Sequence, residues 1–401
     1  MISLEEAQQK ILASIHPLPA EDISLSDAHG RYLAAPLYSP SDLPPSDNSA
    51  MDGYAILASD VASLPSVPSV PLRLLGEQPA GHPAGIAVTS GACLRIFTGA
   101  MLPPGADAVV MQEDTQPDPR DPSIILILDK VTTWENVRFR GEDVKKNALL
   151  LKAGELLTAQ RLSLLAAAGI SRAQAHRQPV VGLIATGDEL REAGQPLTPG
   201  QIYESNRLGL SLLARQAGAI PRAYPLLADD LELTQQALRR AFAECDVVIT
   251  SGGVSVGEKD WVKKAFAEIG GELDLWTVAI RPGKPFAFGR YGGKLLFGLP
   301  GNPVSALVTF FLLARPALLR LQGASDVHPP VSLGNLSEPL SNPTSRRHFM
   351  RVILDSSGQI KSAGPQGSHI LSSMAQASGL VDLPPETTWQ AGALAPVLRW
   401  S

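Results

Sequence analysis

Val180-Val181-Gly182-Leu183-Ile184-Ala185-Thr186-Gly187-Asp188-Glu189-Leu190 is a continuous apolar run that stops at a glycine and two acids. A run without polar alternation suits a strand buried on both faces. The pattern recurs downstream. Ser205 to Ala217 has helical spacing and is stopped by Gly218, and Ala223 to Leu227 is a second run. Leu231 to Phe242 is helical again, and Asp246 to Thr250 is a third run. Apolar runs alternating with amphipathic helices predict a three-layer α/β domain over 178–326, a parallel sheet with helices on both faces. Ligands of such sheets bind at the carboxyl ends of the strands.

The rest of the chain has a different character. Ser3 and Glu6 form a capping box, and Leu4, Ala7, Ile11 and Ile15 recur at helical spacing. Pro36 to Pro45 is a proline-rich crossing between domains. Residues 46–141 carry short apolar runs punctuated by glycines. Ala108 to Met111 and Ile124 to Leu128 are two of them, joined by the turn-rich stretch Gln116 to Pro122. Thr158 caps a second helix with Leu162, Leu165 and Ala166 as its stripe and Gly169 as its stop. The chain is therefore read as multidomain α/β plus β. Its parts are a mixed N-terminal domain (1–45 and 142–177), a small inserted β domain (46–141), the α/β domain and a C-terminal β domain (327–401).

Composition narrows the partners. The net charge of −5 over 401 residues argues against a general nucleic-acid binder. The 34 prolines, roughly 8% against about 5% on average, indicate rigid turns and crossings. The 2 cysteines, Cys93 and Cys245, exclude a disulfide framework or a Cys-rich metal site and suit a reducing compartment. The longest apolar stretch, Val304 to Leu319, is interrupted by Arg315 and Pro316, which argues against a membrane span. With no signal pattern at the N-terminus, these features predict a soluble, cytoplasmic protein.

The chemistry should lie in the loops of the α/β domain. They are Thr186-Gly187-Asp188-Glu189, Ser251-Gly252-Gly253 with Asp260 after it, Arg281-Pro282-Gly283-Lys284 and Pro300-Gly301-Asn302-Pro303. Glycine lets backbone N–H groups approach an anion, and Asn302 with Pro303 would aim a helix N-terminus at it. Glycines that only make tight βα turns are the plainer explanation of any one loop. Several at one sheet edge, carrying both acids and bases, favour a site. Asp188, Glu189, Asp229, Asp230 and Asp260 would gather near Arg281 and Lys284. Carboxylates repel an anionic ligand unless a cation intervenes, so Mg²⁺ bridging carboxylates and phosphate oxygens is the simplest arrangement. One or two of these carboxylates would hold the ion, although Asp229-Asp230 also suits a helix cap.

No dinucleotide or P-loop glycine motif is present. Gly253-Val254-Ser255-Val256-Gly257 fits the serine-hydrolase elbow, but no His–Asp partner can be placed for Ser255. In the β insertion, Asp47-Asn48-Ser49-Ala50-Met51-Asp52-Gly53-Tyr54-Ala55 and Arg95-Ile96-Phe97-Thr98-Gly99-Ala100 stand out beyond ordinary turns.

These two strings, with Thr186 to Leu190, Ile202 to Asn206, Ser251 to Asp260 and Leu299 to Pro303, resemble the signature of the MoeA family of molybdopterin molybdenumtransferases. Gephyrin's E domain is its eukaryotic relative. The match covers nearly the whole chain in the right order. The resemblance implies an elongated homodimer whose active sites lie between the α/β domain of one subunit and the β insertion of the other. It implies substrates molybdate and adenylylated molybdopterin, Mg²⁺, and release of AMP. Its functional positions fall on Asp52, Thr98, Glu189, Asp229 and Asp260, with Arg351 and Ser372 in the last domain. Bacterial relatives carry lysines at the places of Thr277 and Arg281. Arg281 keeps the charge with a different fork geometry, and Thr277 loses it, so oxyanion binding should rest on Arg281 and Lys284. Partners would be small molecules, together with the molybdopterin adenylyltransferase and acceptor molybdoenzymes, and neither nucleic acid nor membrane. An adenylyltransferase or a gephyrin-like scaffold are the alternatives.

Overall fold

The computed structural model describes residues 1–253 and 261–400. Asp260 and Ser255 lie outside the described residues. Helix α1 (Leu4–Ala13) starts where Ser3 Oγ accepts from the Glu6 N–H at 3.0 Å. Leu4, Ala7, Ile11 and Ile15 are all buried, and they pack into the core of the α/β domain rather than into the small domain that follows. That small domain is built from two separated pieces. Ala20–Ser24 pairs antiparallel with Arg172–His176, and Leu37–Tyr38 with Leu149–Leu151. Ala28, Leu33, Leu151, Leu157, Leu165 and Ala173 form its core. Helix α2 (Ala159–Ala167) is capped by Thr158 as expected, but Ala166 is exposed and Ala168 buried in its place.

The insertion between the two pieces is a six-stranded sheet. It contains the expected strand Ala108–Met111, and Ile124 to Leu128 falls in strand Asp121–Ile127. The stretch read as a turn contains a further strand, Thr115–Asp118, paired back onto Asp121–Ile127. Both faces are covered. Cys93 points into one cluster with Leu72 and Val110, and its neighbour Leu94 into another with Ala55 and Val109.

The α/β domain has strands β1 (Val180–Ala185), β2 (Ile220–Ala223), β3 (Val247–Ser251), β4 (Glu272–Thr277), β5 (Pro285–Tyr291) and β6 (Lys294–Leu299). Their order is β2-β1-β3-β6-β5-β4. The first four are parallel, but β5 runs antiparallel to β6 and to β4, so the sheet is mixed rather than purely parallel. The short turn Gly292-Gly293 makes β5 and β6 a hairpin, which only antiparallel strands allow. The run read as Ala223 to Leu227 meets the strand only at Ala223, since β2 spans Ile220–Ala223. Helices α3 (Asn206–Gln216) and α1 cover one face, and α4 (Leu231–Glu244) and α5 (Trp261–Glu268) the other.

Val304 to Leu319 forms one continuous helix, α6 (Pro303–Leu321), despite Arg315 and Pro316. Its length and composition would suit a membrane, but 83% of it is buried in this fold. The proline is accommodated by a π-helical turn at Phe310–Ala314. Pro316 offers no N–H to the carbonyl four residues back, that of Leu312. Gln8 Nε2, from α1, donates to that carbonyl at 2.8 Å.

The C-terminal domain is a small closed barrel. Arg347–Leu354 pairs with both Gln359–Ser362 and Gly379–Leu383, and Val331–Leu336 and Leu394–Arg399 complete the ring. Ile280–Arg281, which leaves the α/β domain, joins it in parallel at Arg347-His348. Arg347 reaches both Asp382 in the barrel and Glu5 at the start of α1.

Gln8→Ala should destabilise the protein by about 1 kcal/mol, the usual net value of one hydrogen bond. In a Pro316→Ala background, where residue 316 regains an N–H, the same change should cost markedly less. Denaturant midpoints around this double-mutant cycle check the point, and additive effects would mean that Gln8 does not serve the proline gap.

Candidate active site

The strand ends of the α/β domain meet at two adjoining clefts. After β1, Thr186 bridges Leu227, and the Gly187 N–H donates to the Leu227 carbonyl at 3.1 Å. A Cβ on Gly187 would lie 2.5 Å from Glu189 Oε2, so the carboxylate is folded closely over the Gly187 backbone. Asp188 Oδ1 accepts from the Asp229 N–H at 3.1 Å, which brings these acids onto neighbouring loops. Asp230 caps α4, with Oδ1 accepting from Leu233 N at 2.8 Å.

At the end of β3, Ser251 Oγ is held by Asn206 Nδ2 at 2.6 Å, and the same amide donates to the Gly301 carbonyl at 2.8 Å. One side chain thus clamps two glycine loops. Gly252 and Gly253 both have positive φ, 90° and 67°. Thr186, Glu189, Ser251, Gly252, Gly301 and Asn302 line a cleft of about 550 Å³. Its acid is Glu189. The far wall is Ile202 to Asn206, a stretch quoted above as a motif but given no role.

The bases occupy a second cleft of about 510 Å³, lined by Arg281, Gly283, Lys284, Pro300, Arg346 and Ser368 among others. Gly283 has φ 106°, and a Cβ there would lie 2.4 Å from Thr309 Oγ1, so the Pro-Gly-Lys turn rests directly on α6. Arg346 Nη1 donates to the Ile280 carbonyl at 3.0 Å, and the Val304 N–H to the Ser368 carbonyl at 3.1 Å. The C-terminal barrel is thereby seated over the start of α6. Asn302 and His369 line both clefts and form the ridge between them. Of the acids expected to gather near Arg281 and Lys284, Glu189 lines the neighbouring cleft, Asp188, Asp229 and Asp230 line neither, and Asp260 lies outside the described residues. Sequence reasoning missed Arg346 and 366–369, because nothing in the barrel's strand pattern shows that its loops return to the α/β sheet.

Of the predicted residues, Gly187, Asp188, Asp229, Gly253, Arg351 and Ser372 line neither cleft. Arg351 is 1% exposed. Its guanidinium donates to the Gly367 and Pro365 carbonyls at 3.0 and 2.9 Å. It shapes the loop that lines the basic cleft and does not itself line that cleft. Ser372 is exposed on a short helix, next to Leu371, which does line the acidic cleft. Asp229 lines neither cleft. Thr277 is likewise absent from the basic cleft, whereas Arg281 and Lys284 line it.

In the insertion, Asp52 Oδ1 accepts from both the N–H and the hydroxyl of Thr98 at 2.7 Å. Those bonds hold the Asp52 carboxyl below the usual carboxylate range. Arg95 lies over the rings of Tyr54 and Phe97 at 5.0 and 5.3 Å. A Cβ on Gly53 would lie 1.9 Å from the Val110 carbonyl oxygen, so that strand pairing requires glycine. Asp52 and Thr98 are brought together, but neither lines either of these two clefts. Among the described residues, no group of three or more His, Cys, Asp or Glu side chains gathers as a metal cage.

Three regions of the chain match family models in order. Residues 2–169 match the MoeA N-terminal region (domain I and II), 182–320 the probable molybdopterin binding domain, and 334–400 the MoeA C-terminal region (domain IV). A curated relative, the molybdopterin molybdenumtransferase of Haemophilus influenzae, is 38% identical over 96% of this chain and 95% of its own. The chain belongs to the MoeA family. Molybdopterin molybdenumtransferase 2 of Mycobacterium tuberculosis is 37% identical over 96% of both chains. The crystal structure of a MoeA protein of molybdopterin biosynthesis from Pyrococcus horikoshii superposes with a TM-score of 0.83, at 32% identity, over 100% of this chain and 99% of its own. The MoeA fold is thus shared from end to end, and the chain is a transferase of molybdenum cofactor biosynthesis.

His348 is a buried marker of the basic side. Burial, reinforced by Arg281, Arg351 and Arg346, pushes its pKa down to about 4. In the unfolded chain it titrates near 6.5, so the unfolded state binds more protons between those values and stability falls as pH drops through that window. The denaturant midpoint of the wild type should therefore decline from pH 6.5 towards pH 5 more steeply than that of His348→Leu. Parallel profiles would show that His348 is not held neutral.

Proposed function

We propose that this MoeA protein inserts molybdate into adenylylated molybdopterin and releases AMP, with Mg²⁺ required and the active site shared between two subunits. The observation that carries the reading is the adjoining pair of clefts, one acidic and one basic, divided by Asn302 and His369. A tetrahedral oxyanion suits the basic cleft, where Arg281, Lys284 and Arg346 converge with the backbone of 366–368. The adenylylated pterin suits the acidic cleft, where Gly252 and Gly301 offer open backbone. The matched regions on both sides of the α/β domain favour this reading over an adenylyltransferase, and retention of Asp52, Glu189, Asp229 and Asp260 favours it over a gephyrin-like scaffold.

The residues present fit a divalent cation at one edge of that cleft. Glu189 is folded against Gly187, and the loop of Asp229 is bonded to Asp188. Glu189 would hold the ion, with Asp229 and Asp260 as the other candidates. Bound Mg²⁺ would neutralise the pyrophosphate charge that the carboxylates otherwise repel. The protein's own part is positioning. Arg281 and Lys284 orient the oxyanion, Asn206 fixes the two glycine loops, and the ridge at Asn302 sets the approach of the reacting sulfurs. Asp52 and Thr98 would enter from the partner's insertion. The acceptor molybdoenzymes and the adenylyltransferase are the expected protein partners.

Purified enzyme given adenylylated molybdopterin should release AMP only when Mg²⁺ and molybdate are both present. Arg281→Ala should weaken molybdate binding by about 1.5–3 kcal/mol, the scale of a hydrogen bond to a charged group, and Thr277→Ala should change it little. Turnover in excess chelator, or the reverse ranking of the two variants, would sink the assignment.

Asp52→Asn and Asp260→Asn should each be inactive as homodimers. An isolated heterodimer of the two would place both lesions in one site and leave the other intact, restoring about half of wild-type activity by the counting of two symmetric sites. A heterodimer as inactive as its parents would show that both acids act within one subunit.

A further inference from the structure

The wall of the acidic cleft, residues 189–205, is a strap rather than a packed element. Leu190–Arg191 pairs in parallel with Ile202–Tyr203, closed by Ile202 N–H to the Glu189 carbonyl at 2.8 Å and Glu204 N–H to the Arg191 carbonyl at 2.9 Å. Between them runs a loop held mainly by its own turns, including Tyr203 O–H to the Gln195 carbonyl at 2.9 Å. Ile202 and Tyr203 line the cleft while remaining exposed.

Open space lies on both sides of this strap. The acidic cleft is on one. A second cavity, about 530 Å³, is on the other, lined by Glu192, Glu204, Arg207, Leu208, Tyr224 and Pro225 among others. Arg207, on α3, crosses that space. Its guanidinium donates to both oxygens of Glu192 at 2.7 and 2.8 Å, to Glu204 at 3.2 Å and to the Tyr224 carbonyl. Among the described residues, Glu192 is the side chain that bonds the 192–201 loop to the body of the domain. The two carboxylates differ in setting. The Glu204 side chain is 4% exposed and Glu192 49%, so the Glu192 arm is the one water can release.

We infer that Glu192 and Arg207 are positioning residues, a latch that holds the 189–205 strap as the wall against which the flat ring system of the substrate is placed. The inference rests on the proposed reading of the acidic cleft as the pterin nucleotide's site. With the latch made, Ile202 and Tyr203 present a fixed apolar surface, and the ring binds without ordering the strap first. With the latch broken, part of the binding energy goes into that ordering. The effect belongs to substrate affinity and not to the chemical step.

Glu192→Gln tests this in the full-length dimer. It keeps the shape of a half-exposed side chain and leaves Arg207 paired with Glu204. Removing Arg207 instead would leave Glu204 buried without its cation. Hydrogen exchange on the free protein should accelerate at the Ile202 and Glu204 amides, while β1, β3 and α6 remain protected. With adenylylated molybdopterin, KM should rise about tenfold and kcat stay within about twofold, the pattern of lost uniform binding. Unchanged exchange would overturn the latch. Faster exchange with unchanged KM would overturn the positioning role, and a fall in kcat at constant KM would place Glu192 in the chemistry instead. A wild-type enzyme with no turnover would sink the proposed function and with it the substrate part of this inference. The exchange result would still decide whether Glu192 holds the strap.

Discussion

The burial of a single apolar helix, Pro303–Leu321, constrains everything around the site. A helix apolar on nearly all sides must be enclosed, and each fully buried Leu or Phe contributes about 1.5–3 kcal/mol over an exposed one. The enclosure is built from distant parts of the chain. Helix α1 covers one flank and supplies Gln8 to the carbonyl that Pro316 leaves without a donor. Gly283 lets the basic turn rest on Thr309, and the barrel lends the Ser368 carbonyl to the first turn. The clefts therefore open at the start of a helix whose depth and direction the core has already fixed.

Sorting acids and bases to opposite sides of Asn302 and His369 avoids a local conflict. Were Glu189 to face Arg281 directly, the two would pair and leave neither free for a ligand. The separation is enforced by backbone. Glu189 is turned back over Gly187, and Arg281 is drawn into a strand of the barrel beside Arg347 and His348. Three arginines, Arg281, Arg346 and Arg351, then surround a histidine that stays neutral because it is buried among them. Arg351 contributes at one remove, through the loop whose carbonyls it holds.

The sequence made the α/β layers, the α1 cap and the strand-end loops legible, because burial on both faces and helical spacing leave direct marks at Val180–Ala185 and Leu231–Phe242. It did not reveal the hairpin that reverses β5, since an antiparallel strand buried on both faces and a parallel one share one apolar signature. It mistook Arg315-Pro316 for a break, because a π turn and a side chain from residue 8 repair the helix nonlocally. Thr186, Glu189, Ser251, Gly252, Arg281 and Lys284 were placed at the clefts by their position after strands. Arg346, His369 and the Ile202–Asn206 wall were not, because their role depends on tertiary approach. Arg351 and Ser372 rested on resemblance alone, and the structure moves both off the lining.

The insertion is attached by two strands that lie side by side, Leu37–Tyr38 going out and Leu149–Leu151 coming back. The two ends of such a paired stem are as close as a hairpin's. The host's small core, from Ala28 to Ala173, draws on both sides of the stem and takes none of the insertion's residues. The whole β unit can thus be viewed as a cassette set into a pre-existing domain. Exchange, loss or redesign of that cassette would leave the host's packing intact.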